Sequence, residues 1–247
     1  MGSALAQHLY KLGYPIAVSS RSHKGNILSD LDVSRFIIDL EANVLSLDTF
    51  LESEILIINI PLKNVDAYQK IIPVLERSNV KKVLFVSSTS VYQNCNQSVD
   101  ESDQSLLGSS IWLDIENLFR LNDSFESTII RFCGLIGYDR NPAKFITKSQ
   151  KTLDPKTPVN MIHKDDCIGI LTEIIKQELW GETFNACAPI HPSKEDFYTK
   201  AALVSQLPKP AFDYSLDEMY KIIDSTKLTK ALKYRFKYPN LLDIVYE

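Results

Sequence analysis

Hydroxyl side chains follow a short apolar segment in the first half of the chain. Residues 80–86 read Val-Lys-Lys-Val-Leu-Phe-Val, a short run rich in β-branched residues that is typical of a buried parallel strand. Ser87, Ser88, Thr89 and Tyr92 come after it. Because ligands of open parallel sheets bind beyond the carboxyl ends of the strands, we predict that these hydroxyl groups face a ligand. The alternative is a Ser/Thr-rich turn that closes an ordinary strand, and the residues alone fit both interpretations.

The elements that would position these side chains alternate between strand and helix. The predicted strands are residues 15–20, 35–40, 55–59, 80–86, 128–132, 161–163 and 183–185. The predicted helices are residues 3–12, 64–77, 109–121, 167–177, 195–206, 217–223 and 225–232, with polar or irregular loops at 94–107 and 138–158. This alternation predicts an α/β fold with a Rossmann-like, doubly wound parallel sheet.

The amino-terminal helix begins without the strand that should precede it. A Rossmann unit starts with a strand and a glycine-rich turn, after which the helix N-terminus binds the pyrophosphate. Here only Gly2 remains of such a turn, directly before the helix that is predicted to start at Ser3. We expect about a dozen upstream residues to carry that strand and the first glycines, in keeping with the usual strand length. The alternative is a degenerate fragment that folds poorly.

Composition indicates a globular protein with an ordinary charge balance. The chain has 247 residues, of which 45% are hydrophobic and 23% charged, with a formal net charge of −4. The basic residues are scattered, which argues against nucleic acid as a partner. No apolar run approaches the roughly 18 residues that a membrane helix needs, and no basic-then-apolar leader opens the chain. We therefore expect a cytoplasmic protein with a small-molecule substrate, for which a homodimer is one possible assembly.

The four cysteines show no metal-binding or disulfide spacing. Cys95, Cys133, Cys167 and Cys187 include no Cys-x-x-Cys pair and lie in apolar surroundings. Such cysteines are typical of reduced thiols rather than of a disulfide framework or a zinc site. We therefore predict four free thiols and no metal.

Four segments resemble a known family. They are Val86–Tyr92 (Val-Ser-Ser-Thr-Ser-Val-Tyr), Asn185–Pro189, His191-Pro192 and Lys221–Asp224. Together they resemble the NAD(P)-dependent epimerase/dehydratase family, the extended short-chain dehydrogenases, and most of all its small bacterial YeeZ-like group. The resemblance covers almost the whole chain. It implies an NAD(P)-binding domain over residues 1–137 and a small substrate lobe over residues 138–247, of which about 159–188 return to the sheet.

The resemblance also implies which residues hold the cofactor and the substrate. The implied cofactor residues are Gly2, Ser3, Ser20, Arg21, Asp39, Leu40, Asn59, Ile60, Pro61, Ser87, Phe132, Cys133 and Gly134. No acid follows the strand that ends at Ser20, and an arginine suits the 2′-phosphate of NADP, so NADP is favoured over NAD. Ser88 aligns with the catalytic Ser/Thr of the family, which hydrogen-bonds the reacting oxygen. Tyr92 is a second catalytic candidate as an acid, although packing is the alternative for it.

The chain departs from the family where its catalytic pair should lie. Alignment on Glu116 puts Gly108 and Trp112 in the two places of the Tyr-x-x-x-Lys motif. In that motif the lysine lowers the pKa of the tyrosine so that the phenol can exchange a proton, which neither glycine nor tryptophan can do. The resemblance thus implies an NAD(P)-binding epimerase or oxidoreductase with an atypical site, acting on a small or sugar-like substrate. The alternatives are a non-catalytic NADP-binding regulator or sensor, and a truncated product without cofactor affinity.

Overall fold

The computed structural model describes residues 1–22, 28, 30–42, 47–149 and 151–246. The strands are β1 (Ala17–Ser20), β2 (Ser34–Ile37), β3 (Ile55–Ile58), β4 (Lys82–Ser88), β5 (Gln97–Val99), β6 (Glu126–Phe132), β7 (Gly134–Ile136), β8 (Met161–His163), β9 (Thr183–Ala186) and β10 (Lys221–Ile223). The α-helices are α1 (Gly2–Lys11), α2 (Val65–Glu76), α3 (Ile111–Arg120), α4 (Pro142–Ser149), α5 (Lys164–Lys176), α6 (Lys194–Val204) and α7 (Thr226–Leu232). No helix in these ranges is long and apolar enough to cross a membrane.

The sheets confirm the predicted Rossmann-like α/β fold. A four-stranded sheet has the order β3-β4-β6-β9, in which β3 and β4 run parallel. Three further pairs, β1 with β2, β5 with β10 and β7 with β8, are also parallel. Within the described residues β1 pairs only with β2, and β3 pairs only with β4. The strand expected upstream of residue 1 stays a prediction.

The chain divides into two compact units, each made of three segments. Unit 1 comprises Met1–Ser87, Ser110–Ile130 and Ile174–Glu182, and unit 2 comprises Ser88–Ser109, Arg131–Glu173 and Thr183–Glu247. The functional division into a cofactor domain over residues 1–137 and a substrate lobe over residues 138–247 stays a prediction.

An aromatic cluster forms part of the core of unit 1. The rings of Phe85 on β4 and Phe119 on α3 stack with their centroids 4.9 Å apart. Tyr68 on α2 packs edge-on against both, at 5.9 Å from each centroid. All three side chains are fully buried, so they fix α2 and α3 against β4. This packing holds the β3–α2 loop and the first turn of α3 in place.

The core of unit 2 is built from several short elements. Ile136, Val159 and Phe197 are buried together with Leu241 and Ile244 from the last part of the chain. The segment after residue 232 is therefore integrated in the hydrophobic core of this unit.

Three sequence predictions of secondary structure are wrong. Residues 221–223 form strand β10 rather than the end of a helix over 217–223. The polar loop at 94–107 contains strand β5, and the loop at 138–158 contains helix α4. β5 and β10 pair with each other across more than a hundred residues, and such a pairing leaves no local periodic signal in a three-residue strand.

Candidate functional site

In unit 1, α1 starts beside the carboxyl end of β3. Gly2 is the first residue of α1, and no side chain caps this helix in the described structure. A Cβ atom added at Gly2 would lie 3.6 Å from Nδ2 of Asn59, the residue that follows β3. Ser3 is exposed on the first turn. An uncapped helix N-terminus near the carboxyl end of a parallel strand is the arrangement that binds anionic groups in this class of fold.

The loop after β3 is fixed at both of its ends. Tyr68 on α2 donates its hydroxyl hydrogen bond to the Ile60 carbonyl at 3.3 Å. Asn64 caps α2 because its Oδ1 accepts from the Ala67 N–H at 3.1 Å. The backbone of Asn59, Ile60 and Pro61 is therefore held in one conformation between the strand and the helix.

Polar side chains also follow β1 and β2. Ser20 ends β1, where its hydroxyl donates to the Ser22 carbonyl at 2.9 Å, and Arg21 is exposed next to it. Asp39 lies two residues after β2, and its carboxylate accepts from the Glu41 N–H at 3.0 Å. Leu40 is buried. Candidate cofactor residues thus stand after all three of the first strands of unit 1.

Ser87 is engaged inside unit 1. Its hydroxyl donates to the carboxylate of Glu116, and both residues are buried. Because this donor is used internally, the Ser87 side chain links β4 to α3, and any cofactor contact of Ser87 would come from its backbone or its oxygen lone pair.

Ser88, the first residue of unit 2, has a side chain that accepts a local hydrogen bond. Its Oγ accepts from the Ser90 N–H at 3.1 Å, capping the short turn Thr89–Val91. A hydroxyl that accepts one hydrogen bond still has its own proton to donate. The side chain is partly exposed, so this donor can reach a ligand. The Thr89 hydroxyl instead lies 3.5 Å from the Phe132 carbonyl and 3.6 Å from Cys133 Sγ.

Tyr92 is held in a buried polar network within unit 2. Its hydroxyl donates to Asn185 Oδ1 at 3.0 Å and accepts from Arg131 Nη1 at 2.7 Å, and the residue is only 3% exposed. Burial raises the pKa of the phenol, although Arg131 and the hydrogen bond with Asn185 oppose this. Glu101 completes the network by accepting from the Asn185 N–H, and burial raises the pKa of its carboxyl. This geometry favours the packing interpretation of Tyr92.

The prediction of four free thiols is wrong for one pair. Cys133 and Cys187 form a disulfide with their Cα atoms 5.2 Å apart, whereas Cys95 and Cys167 are free. The backbone N–H of Cys133 donates to the Ala186 carbonyl at 3.1 Å. This backbone hydrogen bond places the ends of β6 and β9 next to each other independently of the disulfide. Cysteine spacing could not reveal a pairing that depends on the order of the strands.

The other candidate residues of this segment differ in exposure. Phe132 is buried, while Gly134 is exposed and donates its N–H to the Asn160 carbonyl at 3.1 Å. A Cβ atom at Gly134 would collide with Met161 Sδ and lie 3.3 Å from the Asn160 carbonyl oxygen. A larger residue at this position would therefore require the Met161 side chain and the Asn160 carbonyl to shift.

A polar cluster surrounds the start of α5. The Asp165 carboxylate accepts from the hydroxyl of Tyr138 and from Lys237 Nζ. These hydrogen bonds lower the pKa of Asp165 against the effect of its burial, and the same carboxylate raises the pKa of Tyr138 to about 12. His163 accepts from the Asp165 N–H at 3.1 Å, and burial lowers its pKa.

The neighbouring Asp166 anchors the last part of the chain. Its buried carboxylate accepts from the Tyr234 hydroxyl at 3.0 Å and from the Lys237 and Tyr238 N–H groups at 2.6 and 3.1 Å. Every one of these donors comes from residues 234–238. The cluster therefore fixes the C-terminal segment of unit 2.

The resemblance aligns Gly108 and Trp112, neither of which titrates, with the two positions of the family's catalytic pair. Gly108 in unit 2 has room restricted by Gln93, whose Cγ would lie 3.3 Å from an added Cβ. Trp112 in unit 1 is on the first turn of α3 and is largely buried. Lys63, from the loop before α2, places its ammonium 6.0 Å from the centroid of the Trp112 ring. Sequence reasoning did not single out Lys63.

Comparison with known proteins places these observations in context. No protein-family model matches the chain. Protein YeeZ of Escherichia coli K12 is 25% identical to this chain over an alignment of 259 residues, gaps included. The alignment covers 98% of this chain and 94% of that protein.

Solved structures share the fold at lower identity. One is described as an NAD-dependent epimerase/dehydratase from Methylobacillus flagellatus, with a TM-score of 0.77, 21% identity and coverage of 96% of this chain and 89% of that chain. Another is a UDP-glucuronic acid 4-epimerase variant from Bacillus cereus in complex with a fluorinated UDP-sugar and NAD. It has a TM-score of 0.78, 19% identity and coverage of 98% and 92%.

Proposed function

We propose that the chain is a member of the NAD(P)-dependent epimerase/dehydratase family, in its YeeZ-like group, and that it binds NADP, or NAD, and transforms a small or sugar-like substrate. The observation that carries the proposal is the set of polar residues after β1, β2 and β3, together with the start of α1 near the residue that follows β3. Likeness to enzymes of sugar nucleotides supports the choice of a sugar-like substrate.

The residues of unit 1 fit a dinucleotide. The N-terminus of α1 at Gly2 and Ser3 offers N–H groups and positive potential to the pyrophosphate. Arg21 is exposed and can pair with the 2′-phosphate of NADP, while Asp39 follows β2 and the backbone of Asn59–Pro61 follows β3. When bound, the nicotinamide supplies the hydride chemistry.

In unit 2, Ser88 is the residue that we propose donates a hydrogen bond to the reacting oxygen of the substrate. Its hydroxyl keeps a proton to donate because the Ser90 N–H occupies only one of its lone pairs. Donation to a carbonyl or hydroxyl oxygen stabilises charge that develops there as hydride moves. Phe132, Cys133 and Gly134 are the proposed neighbours of the nicotinamide.

Turnover tests this assignment. Reduction of NADP is followed with a panel of UDP-sugars, oxidation of NADPH with carbonyl-containing metabolite pools, and redox-neutral epimerisation by chromatography of the sugars, for the wild type and for Ser88→Ala. We expect turnover by the wild type in one of these assays and a loss of about 100-fold in kcat for the variant, with cofactor affinity retained. Ser90→Ala is the matched control, because its side chain is exposed and Ser88 bonds only its backbone N–H. Equal turnover of Ser88→Ala and the wild type would refute the role of Ser88.

The second candidate function is a non-catalytic NADP sensor that acts through a protein partner. Gly108 and Trp112 in place of the catalytic pair, and the buried hydroxyl of Tyr92, favour it. Binding of NADPH without turnover of any pool, together with a stoichiometric co-purifying protein, would support the sensor and contradict the enzyme.

A further inference from the structure

We propose that Lys63 is a cofactor-binding residue, and that its ammonium supplies the anionic dinucleotide with the positive charge that Trp112 cannot provide in the lysine position of the family motif. This inference rests on the proposed function, and it adds a residue that the family resemblance does not identify. Lys63 comes from the loop after β3, a different element from the helix that carries the motif.

The first argument is the position of the ammonium. Lys63 Nζ lies 6.0 Å from the centroid of the Trp112 ring, within the range of a cation–π contact. Tryptophan is the most favourable aromatic partner for a cation. A positive charge therefore stands over the side chain that replaces lysine, although it reaches this place from another segment of unit 1.

The second argument is that both partners are held by their surroundings. Trp112 is 9% exposed, and its backbone N–H donates to the Oγ of Ser110, the N-cap of α3. Lys63 directly precedes Asn64, the N-cap of α2. The backbone beside Lys63 and the backbone of Trp112 are thus each fixed at the start of a helix. Binding of an anion therefore restricts the backbone of these residues little further.

The third argument is that the charge of Lys63 is not neutralised. Lys63 is exposed, and no carboxylate in the described part of the chain forms an ion pair with it. Lys82 of the same unit provides the contrast, since its ammonium lies 5.4 Å from the Trp180 ring but also bonds the Glu178 carboxylate. The nearby acids around Lys63 are Glu41, which bonds the Asn64 side chain, and Asp66 in the first turn of α2.

The fourth argument is the neighbourhood of Lys63 in the loop. It follows Pro61 by two residues, at the end of the Asn59–Pro61 backbone proposed to border the cofactor. An unneutralised ammonium here suits a phosphate or ribose oxygen of the dinucleotide, because charge-assisted hydrogen bonds are the stronger ones. The simpler interpretation is a surface lysine that merely covers an indole ring, and it makes a different prediction for binding.

The experiment uses Trp112 as its own reporter. The chain has two tryptophans, so Trp180→Phe leaves Trp112 as the only indole, and NADPH is titrated against its fluorescence. We expect Lys63→Met in this background to weaken NADPH binding about tenfold and to reduce the salt dependence of the affinity. Lys63→Arg should stay within about threefold of the parent, since it keeps the charge.

Lys70→Met is the matched control, because Lys70 is an exposed lysine of α2 in the same unit. It should bind NADPH with the parent affinity and salt dependence. Unchanged affinity and salt dependence in Lys63→Met would overturn this inference while leaving the proposed function intact. A parent protein that binds neither NADPH nor NADH, measured also by calorimetry without the tryptophan substitution, would instead refute the proposed function itself.

Discussion

Tyr92→Phe separates a structural phenol from a catalytic one. The substitution removes a single oxygen atom that donates to Asn185 and accepts from Arg131 in a buried network. Removing a buried partner costs about 1 kcal/mol for a neutral hydrogen bond and about 1.5–3 kcal/mol for one to a charged group. Because Arg131 has further interactions, we expect the variant to lose about 2–3 kcal/mol in the free energy of unfolding.

For a chain of this length such a loss corresponds to a decrease in Tm of about 4–12 °C. Urea unfolding and thermal unfolding, both followed by circular dichroism, measure the two quantities. Tyr214→Phe is the matched control, since the Tyr214 hydroxyl bonds Glu195 at 2.7 Å on a residue that is 60% exposed. We expect this control to change stability by about 0.5 kcal/mol or less. Wild-type stability combined with abolished turnover in Tyr92→Phe would refute the structural assignment and restore Tyr92 as the acid.

Two further predictions concern unit 2. Burial raises the pKa of the Glu101 carboxyl above its ordinary value of 4.5, so the folded state binds the carboxyl proton more tightly than the unfolded state does. The stability that this proton contributes is fully present below pH 4.5 and is lost as the pH rises through the raised pKa. Urea unfolding between about pH 4 and about pH 8 should therefore show the wild type losing stability with rising pH relative to Glu101→Gln, whereas a constant difference across this range would contradict the assignment. The Cys133–Cys187 disulfide closes a separation of 54 residues, for which loop-closure entropy gives about 4 kcal/mol. The double variant Cys133→Ser and Cys187→Ser should thus unfold at a lower temperature than the oxidised wild type. The control Cys95→Ser should unfold at the wild-type temperature. Peptide mapping that finds four free thiols in the untreated protein would contradict the pairing.

Local patterns in the sequence were sufficient for the elements that carry the cofactor residues. The helix predicted over 64–77 is α2 with Asn64 as its N-cap, because the capping side chain and the periodic apolar residues are both local signals. The strands before Asn59 and Ser87 were likewise predicted from short apolar runs, and the structure confirms them.

Features that depend on distant pairing could not be predicted in this way. β10 forms because Lys221–Ile223 pairs with Gln97–Val99 and because the Asn160 side chain bonds the Lys221 carbonyl and the Ile223 N–H. The short sequence Lys-Ile-Ile contains no sign of either partner. The contact of Lys63 with Trp112 is similar, since it joins the loop before α2 to the first turn of α3, and only the packing of α2 and α3 brings these segments together.

The candidate residues of the two units therefore include some that local sequence predicts and some that depend on distant pairing. Ser88 and Arg21 follow from strand ends that the sequence indicates, whereas the burial of Tyr92 and the pairing of Cys133 with Cys187 depend on the order of the strands. The role of each as a cofactor or catalytic residue stays a prediction until binding is measured.

The most direct test of the central claim is a calorimetric titration of the protein with NADPH and with NADH under the same conditions. We predict that both bind and that NADPH binds more tightly, because Arg21 stands after β1 where an acid would favour NADH. The absence of binding by either dinucleotide would contradict the account.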